Sequence, residues 1–330
     1  MNSVHLGLIG LGWWGGVLAD SARKSGRAEV VTCFSRSPDT RATFTKAHGG
    51  RGVESVDALL KDTEIEGVLI ATPHTTHASF IEQAASAGKH VFVEKPLTLT
   101  VEEGRKAARA ADKAGVVLQV GQSRRRQPAN RKIKAMIDAG EFGKVLQLEG
   151  NQSSPAGHNP NLSQWRRDPR ESPAGGMTGM GVHQIDNFNY FVGPARKLFA
   201  FSKHIATPLR LDDATAFVIE YESGPLGYIG TSFFTPQITD TTVYGQDAAV
   251  WNTEDGKKLY VQRRGDPERT EQAIESIDIV ADELAEFADC IQGGRKPETG
   301  AREGLEVVAL LEAVIESSRS GRAVDIADFR

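Results

Sequence analysis

Over the first part of the chain, short, largely apolar runs alternate with longer stretches whose apolar residues recur every third or fourth position. The runs lie at 4–10 (VHLGLIG), Ala28–Phe34, 66–71 (EGVLIA), 90–93 and 116–120, and each ends in glycine, proline or polar residues, as a buried parallel strand does. Between them the spacing predicts helices from the glycines after residue 10 to about 26, and at 40–48, 56–61, 78–87 and 100–115. The last has acids in its first turn, bases later and Gly115 as a stop. This alternation of strands with helical crossovers predicts a doubly wound parallel sheet.

Beyond a helix at 130–139 the period changes. Candidate strands at 143–152, 196–204, 214–222, 226–234, 241–245, 248–253 and 258–263 alternate apolar with polar residues and are separated by turns such as Glu222-Ser-Gly-Pro225. That pattern predicts an antiparallel sheet with one face covered. Amphipathic helices are expected at 279–290 and 301–318, packed against their own domain. The division predicted is a parallel α/β domain at 1–122 and an α+β domain at 123–330.

Composition narrows the class. A chain of 330 residues with 39% hydrophobic and 25% charged residues suits two soluble domains. A net charge of −4 carries no footprint of nucleic-acid binding, and Arg124-Arg-Arg126 reads as a local anchor or a solvated turn. No apolar stretch is long enough to span a membrane. MNSVHLGLIG runs into a strand without the basic head of a signal peptide, and Cys33 and Cys290 suggest neither disulfide framework nor zinc site. A cytoplasmic protein without a metal is expected.

The candidate chemistry sits where strands end. Gly10-Leu-Gly12-Trp13-Trp14-Gly15 joins the first strand to the first helix, the context in which G-x-G-x-x-G binds a dinucleotide. Gly10 permits the tight turn, Gly12 lets backbone approach a pyrophosphate, and Gly15 lets helix pack on strand. Ser35 stands where an NAD-binding fold usually carries an acid for the ribose hydroxyls, and Arg36 follows it. A guanidinium suits a 2′-phosphate, which favours NADP over NAD; the other reading is that Arg36 stacks on adenine or faces water. Thr72-Pro73-His74-Thr-Thr-His77 follows one later strand and Glu94-Lys95-Pro96 the next, placing Lys95 at the carboxyl edge, where ligands bind. The tripeptide alone reads equally well as a strand end before a proline.

Together, GLGWWG, TPHTTH, EKP, SRRRQPA and GGMTGMGVHQID, in that order, resemble the glucose-fructose oxidoreductase, inositol dehydrogenase and MocA (Gfo/Idh/MocA) family. The resemblance implies an N-terminal NAD(P)-binding Rossmann domain and a C-terminal α/β domain with an open, mainly antiparallel sheet. It implies a sugar or polyol substrate and a homodimer or homotetramer. Cofactor contacts are then expected from Gly10, Gly12, Trp13, Trp14, Ser35, Arg36, Thr72, Pro73, His74, His77, Glu94, Lys95 and Gln122. His183 matches the family's catalytic histidine; the alternative is a buried histidine bonded to its own helix. Asp186, three residues on, shares its helical face. Lys95 would stabilise the developing alkoxide and His183 would carry the proton, while Arg124, Trp165, Asp186 and Asn187 would hold the substrate ring. Trp165-Arg166-Arg167, in the loop region around 151–164, reads either as a sugar-stacking platform or as a surface loop.

One position departs from the family. Gly179 stands four residues before His183, where an acid is usual. The departure leaves a second activity open, redox-neutral cleavage of a glycoside with tightly bound NAD(P). A third reading is an inactive nucleotide-binding regulatory protein, which the intact EKP and His183 argue against.

Overall fold

A computed structural model of the protein describes residues 3–159 and 162–330. Pro160 and Asn161, in the loop region expected at 151–164, lie outside the described residues. The chain forms two compact units, Met1–Ser123 with Asp278–Leu305, and Arg124–Ile277 with Glu306–Arg330.

The first unit runs β1 (Val4–Ile9), α1 (Trp13–Ser25), β2 (Ala28–Phe34), α2 (Pro38–His48), β3 (Arg51–Val53) and α3 (Val56–Leu60). It continues through β4 (Gly67–Ile70), α4 (His77–Ser86), β5 (His90–Glu94), α5 (Val101–Ala114) and β6 (Leu118–Gly121). Among the described residues these strands make one six-stranded parallel sheet in the order β3-β2-β1-β4-β5-β6. The order reverses between β1 and β4, which opens a crevice at their carboxyl ends. Helix starts follow from local chemistry. The hydroxyls of Ser37, Ser55 and Thr100 accept the backbone N–H of Thr40, Ala58 and Glu103, capping α2, α3 and α5. Gly26 and Gly115 end α1 and α5 in the left-handed conformation.

Five of the six strands are those the apolar runs mark. The sixth, β3, is Arg-Gly-Val at the sheet edge with its first two residues exposed, so no apolar run announces it. A larger difference concerns α8 (Ile279–Gly293), which belongs to the first unit although the sequence order assigned it to the second. Val280, Leu284, Phe287 and Ala288 of α8 join a core with Leu6, Leu18, Val30 and Phe92, and the Phe287 and Phe92 rings meet edge to face at 5.8 Å. An amphipathic helix buries its stripe wherever a complementary apolar surface exists, and this one lies far upstream.

The second unit contains α6 (Pro128–Asp138), β7 (Val145–Ser153), α7 (Val182–Val192), β8 (Ala195–Lys203), β9 (Ala214–Tyr221) and β10 (Leu226–Ser232). It continues through β11 (Ile238–Gly245), β12 (Ala248–Thr253), β13 (Lys258–Arg263), β14 (Thr270–Gln272), most of α9 (Ala301–Ser320) and β15 (Val324–Asp325). Among the described residues its strands form a nine-stranded sheet, β14-β13-β12-β11-β7-β10-β9-β8-β15. The pair β7/β10 is parallel and the other pairs antiparallel. β7 runs through Ser153, so the first residues of the expected 151–164 loop are strand.

The sheet is two-faced. Leu198, Ile219, Leu148, Val243 and Val250 are buried. Glycines at 150 and 227 leave room for Phe188 of α7, whose ring would meet an added Cβ at 3.0 and 3.4 Å. Across the other face the register aligns Phe199, Val218, Tyr228, Glu149, Thr242, Trp251 and Tyr260 in one row. In and beside that row, Val218 is 53%, Tyr228 41%, Phe201 57% and Leu226 59% exposed.

Candidate active site

The glycine turn between β1 and α1 separates two kinds of glycine. Gly10 has φ +100°, and a side chain on it would strike the carbonyl of Ala71. A side chain on Gly15 would strike the carbonyl of Gly10. The fold itself demands these two. Gly12 is different: a Cβ there would meet no protein atom within 4 Å, and its backbone, at φ −78° and ψ −174°, is open to any residue. The protein does not need a glycine at 12, but close approach of a phosphate does.

Around this turn the expected cofactor residues divide. Trp13 is 76% exposed beside it, whereas Trp14 is half-buried and donates its indole N–H to the Glu94 carboxylate. Ser35 and Arg36 follow β2, and their carbonyls accept from Arg41 Nη1 at 2.6 and 3.4 Å, which leaves the Arg36 side chain exposed at the N-terminus of α2. After β6, Gln122 is 1% exposed, and among the described residues neither its amide nitrogen nor its amide oxygen has a hydrogen-bond partner. A buried amide in that condition costs free energy unless a ligand meets it. The open turn at Gly12 and the amide of Gln122 fit a dinucleotide.

Thr72 and Pro73 follow β4, and His74 lies 8% exposed in the short turn His74–Thr76. His77 opens α4 and is fully buried, its Nδ1 2.9 Å from the Pro96 carbonyl and its Nε2 3.1 Å from the Thr72 carbonyl. Lys95 stands at the carboxyl end of β5, partly exposed, with its backbone N–H 3.3 Å from the Glu94 carboxylate. The first unit therefore collects the glycine turn, the Thr72 turn, Lys95 and Gln122 at the carboxyl edge of one sheet.

In the second unit, α7 carries His183, 9% exposed, in its first turn. A π-helical turn, Met177–Gly181, leads into α7, a distortion often found at functional sites. A Cβ at Gly179 would meet no protein atom within 4 Å, so space does not exclude the missing acid. Gln184 fixes α7 to the sheet, accepting from the Thr241 hydroxyl at 2.8 Å and donating to the Asp240 carbonyl at 3.3 Å. Asn187 is 2% exposed, and its side-chain oxygen has no hydrogen-bond partner among the described residues.

Asp186 is not simply presented to a substrate. Arg125 Nε and Nη2 donate to its two carboxylate oxygens at 2.7 and 2.8 Å. Arg124 forks onto Asp255, and burial pulls its guanidinium down to about 10, still cationic at neutral pH. Of the two sequence readings of the arginine run, the anchor holds: Arg125 and Arg126 are 6% and 5% exposed. The role of Arg125, with Tyr190 stacked 5.0 Å beneath its guanidinium, was not legible from sequence, where the signal is the run of three arginines in SRRRQPA. Trp165 is half-buried in the turn Gln164–Arg167, with the Arg166 guanidinium 4.6 Å above its ring. Among the described residues no group of three or more His, Cys, Asp or Glu side chains is placed to hold a metal ion.

Known proteins match along nearly the whole chain. Residues 4–122 match the Gfo/Idh/MocA oxidoreductase family's NAD-binding Rossmann fold, and residues 134–326 its C-terminal α/β domain. The scyllo-inositol 2-dehydrogenase (NAD(+)) of Bacillus subtilis is 30% identical over 98% of this chain and 97% of its own. A solved structure assigned to an NADPH-dependent oxidoreductase of Desulfitobacterium hafniense is 33% identical, covers 100% of this chain and 99% of its own, and superposes with a TM-score of 0.95. A levoglucosan dehydrogenase in complex with NADH and levoglucosan, 22% identical, covering 98% of this chain and 100% of its own with a TM-score of 0.92, shares the fold. No helix among the described residues is long and apolar enough to cross a membrane. With a matching Rossmann domain, a matching α/β domain and dehydrogenase relatives of full length, this chain belongs to the Gfo/Idh/MocA family of NAD(P)-dependent oxidoreductases.

Proposed function

We propose that this enzyme interconverts a secondary alcohol and a ketone on a sugar, inositol or related cyclic polyol, with NADP favoured over NAD. The observation that carries the reading is the place of Lys95, at the carboxyl edge of β5, next to β4 and the β1/β4 switch point. Gly10, Gly12, Thr72, Pro73 and Gln122 would hold the dinucleotide there. When bound, the nicotinamide accepts the hydride or returns it.

The protein's own residues handle the oxygen and its proton. The Lys95 ammonium donates a hydrogen bond to the substrate oxygen and stabilises negative charge as it develops. The His183 imidazole takes the hydroxyl proton in oxidation and returns it in reduction. Asn187, Arg124 and Trp165 orient the ring. Asp186, held by Arg125, orients α7 and through it His183. Ser35 and the exposed Arg36, beside the N-terminus of α2, support a 2′-phosphate; the relatives named above include both an NAD and an NADPH enzyme. The exposed apolar face of the nine-stranded sheet supports a homodimer or homotetramer, and a cytoplasmic setting belongs to the same proposal.

The test is a panel of scyllo-inositol, levoglucosan and D-xylose with NADP+ and NAD+, followed at 340 nm. Turnover with at least one polyol is expected, and Lys95→Ala and His183→Ala should each lower it by about a hundredfold or more. Normal turnover in both variants removes the assignment. Substrate consumption without net reduced cofactor points instead to the redox-neutral activity.

A further inference from the structure

His77 is excluded from solvent, yet both its ring nitrogens face backbone carbonyls of two different turns. Nδ1 lies 2.9 Å from Pro96 O, directly after Lys95, and Nε2 lies 3.1 Å from Thr72 O, in the turn after β4. Carbonyls only accept, so a neutral ring, with one N–H, donates to one of the two and packs against the other, while an imidazolium donates to both; either way the buried ring bridges the two turns. On the other side of the lysine, the Glu94 carboxylate accepts from the indole of Trp14, in the first turn of α1, and from the Lys95 backbone N–H. The residue before Lys95 is thus tied to the glycine-turn helix, and the residue after it to the start of α4. An exposed strand end would otherwise leave this segment to the flexibility usual in loops.

We propose that His77 is a positioning residue for Lys95: it fixes the Pro96 carbonyl against the Thr72 turn, and so sets where the Lys95 ammonium stands. Trp14, through Glu94, holds the same segment from the opposite side. The proposal rests on the reading of Lys95 as the group that stabilises the alkoxide. A histidine that only filled the core would affect stability and leave the chemical step alone.

The experiment uses the full-length protein with NADP+ and the panel polyol of highest turnover, measuring single-turnover hydride transfer, kcat and KM. His77→Phe keeps the ring's bulk and removes both nitrogens; it should lower kcat by about ten- to a hundredfold while KM for NADP+ changes less than about threefold. His77→Gln, which keeps an N–H donor, should recover much of the loss. In a Lys95→Ala background His77→Phe should have almost no further effect, because both changes then remove the same interaction. An unchanged kcat in His77→Phe overturns the proposal, as does the same fold-loss with and without Lys95. Near-normal turnover in Lys95→Ala alone overturns the reading of Lys95 and not the bonds of His77, so the two failures are distinguishable. Thermal melting checks folding. If His77→Phe does not fold, Trp14→Phe takes its place: a fall in kcat that vanishes in the Lys95→Ala background supports positioning, and an unchanged kcat overturns it.

Discussion

Arg125 and Asp186 form a two-pronged ion pair in which the side chains are only 7% and 1% exposed. Taking two charges out of water is costly, and the parallel hydrogen bonds with Tyr190 beneath the guanidinium offset that cost only while both partners are present.

Removing either partner leaves a buried charge behind. Arg125→Ala and Asp186→Ala should each destabilise the fold by about 3–5 kcal/mol. Arg125→Lys should restore little, since a point ammonium cannot fork onto two oxygens. Urea titrations of the single variants and the double Arg125→Met/Asp186→Leu variant check this. The double variant should be more stable than either alanine variant; equal stability for all would show that the pair contributes nothing.

The glycine turn makes opposite predictions at two positions. Gly12→Val should shift stability by no more than about 0.5 kcal/mol, since nothing in the protein opposes the side chain, yet abolish dinucleotide binding. Gly10→Ala should cost about 1–3 kcal/mol or more from its positive φ and the Ala71 carbonyl. Thermal melts paired with NADPH fluorescence titrations separate the two. Tight NADPH binding by Gly12→Val would remove the glycine turn from the cofactor site.

Cofactor choice should be written in two side chains. Ser35→Asp with Arg36→Ala supplies the missing acid and withdraws the guanidinium. We expect kcat/KM for NADP to fall about ten- to a hundredfold while that for NAD rises. An unchanged ratio would mean that neither residue reads the 2′ position.

Asp213 should contribute to the acid sensitivity of the fold. Burial alone would push its carboxyl up, but backbone N–H groups of Thr207, Ala206 and Ile205 donate to it and hold it below the usual carboxylate range. A depressed folded value means the stabilisation is complete above the unfolded pKa, about 3.9, and is lost as pH falls through the folded one. Asp213→Ala should cost about 1–3 kcal/mol at pH 7 and progressively less below pH 4. A cost independent of pH would count against the carboxylate as its source.

Much of this was legible in the residue order. Buried parallel strands announce themselves because both faces are largely apolar, which is why β1, β2, β4, β5 and β6 are marked by apolar runs, while β3, three residues long with its first two exposed, is not. The place of Lys95 and of Gly10–Gly15 at strand ends could be read because a turn after a strand is local in sequence. Arg125 could not, because its meaning depends on Asp186, sixty-one positions away, and adjacent arginines look alike until their partners are known, Asp255 for Arg124 and Asp186 for Arg125. Asp186 is a candidate substrate contact through the family resemblance; its spacing from His183 gives the face of a helix but not that Arg125 holds the carboxylate.

The return of α8 to the first unit has a consequence for biosynthesis. Strands β1 to β6 are complete by residue 121, but the surface that receives Phe287, Leu284 and Val280 stays uncovered until residues 279–293 have been made. A nascent chain therefore carries an unfinished nucleotide domain through the synthesis of nearly the whole second unit. Cutting the chain after residue 123 gives not an isolated cofactor-binding module but one with its apolar flank open to aggregation or to capture by a chaperone.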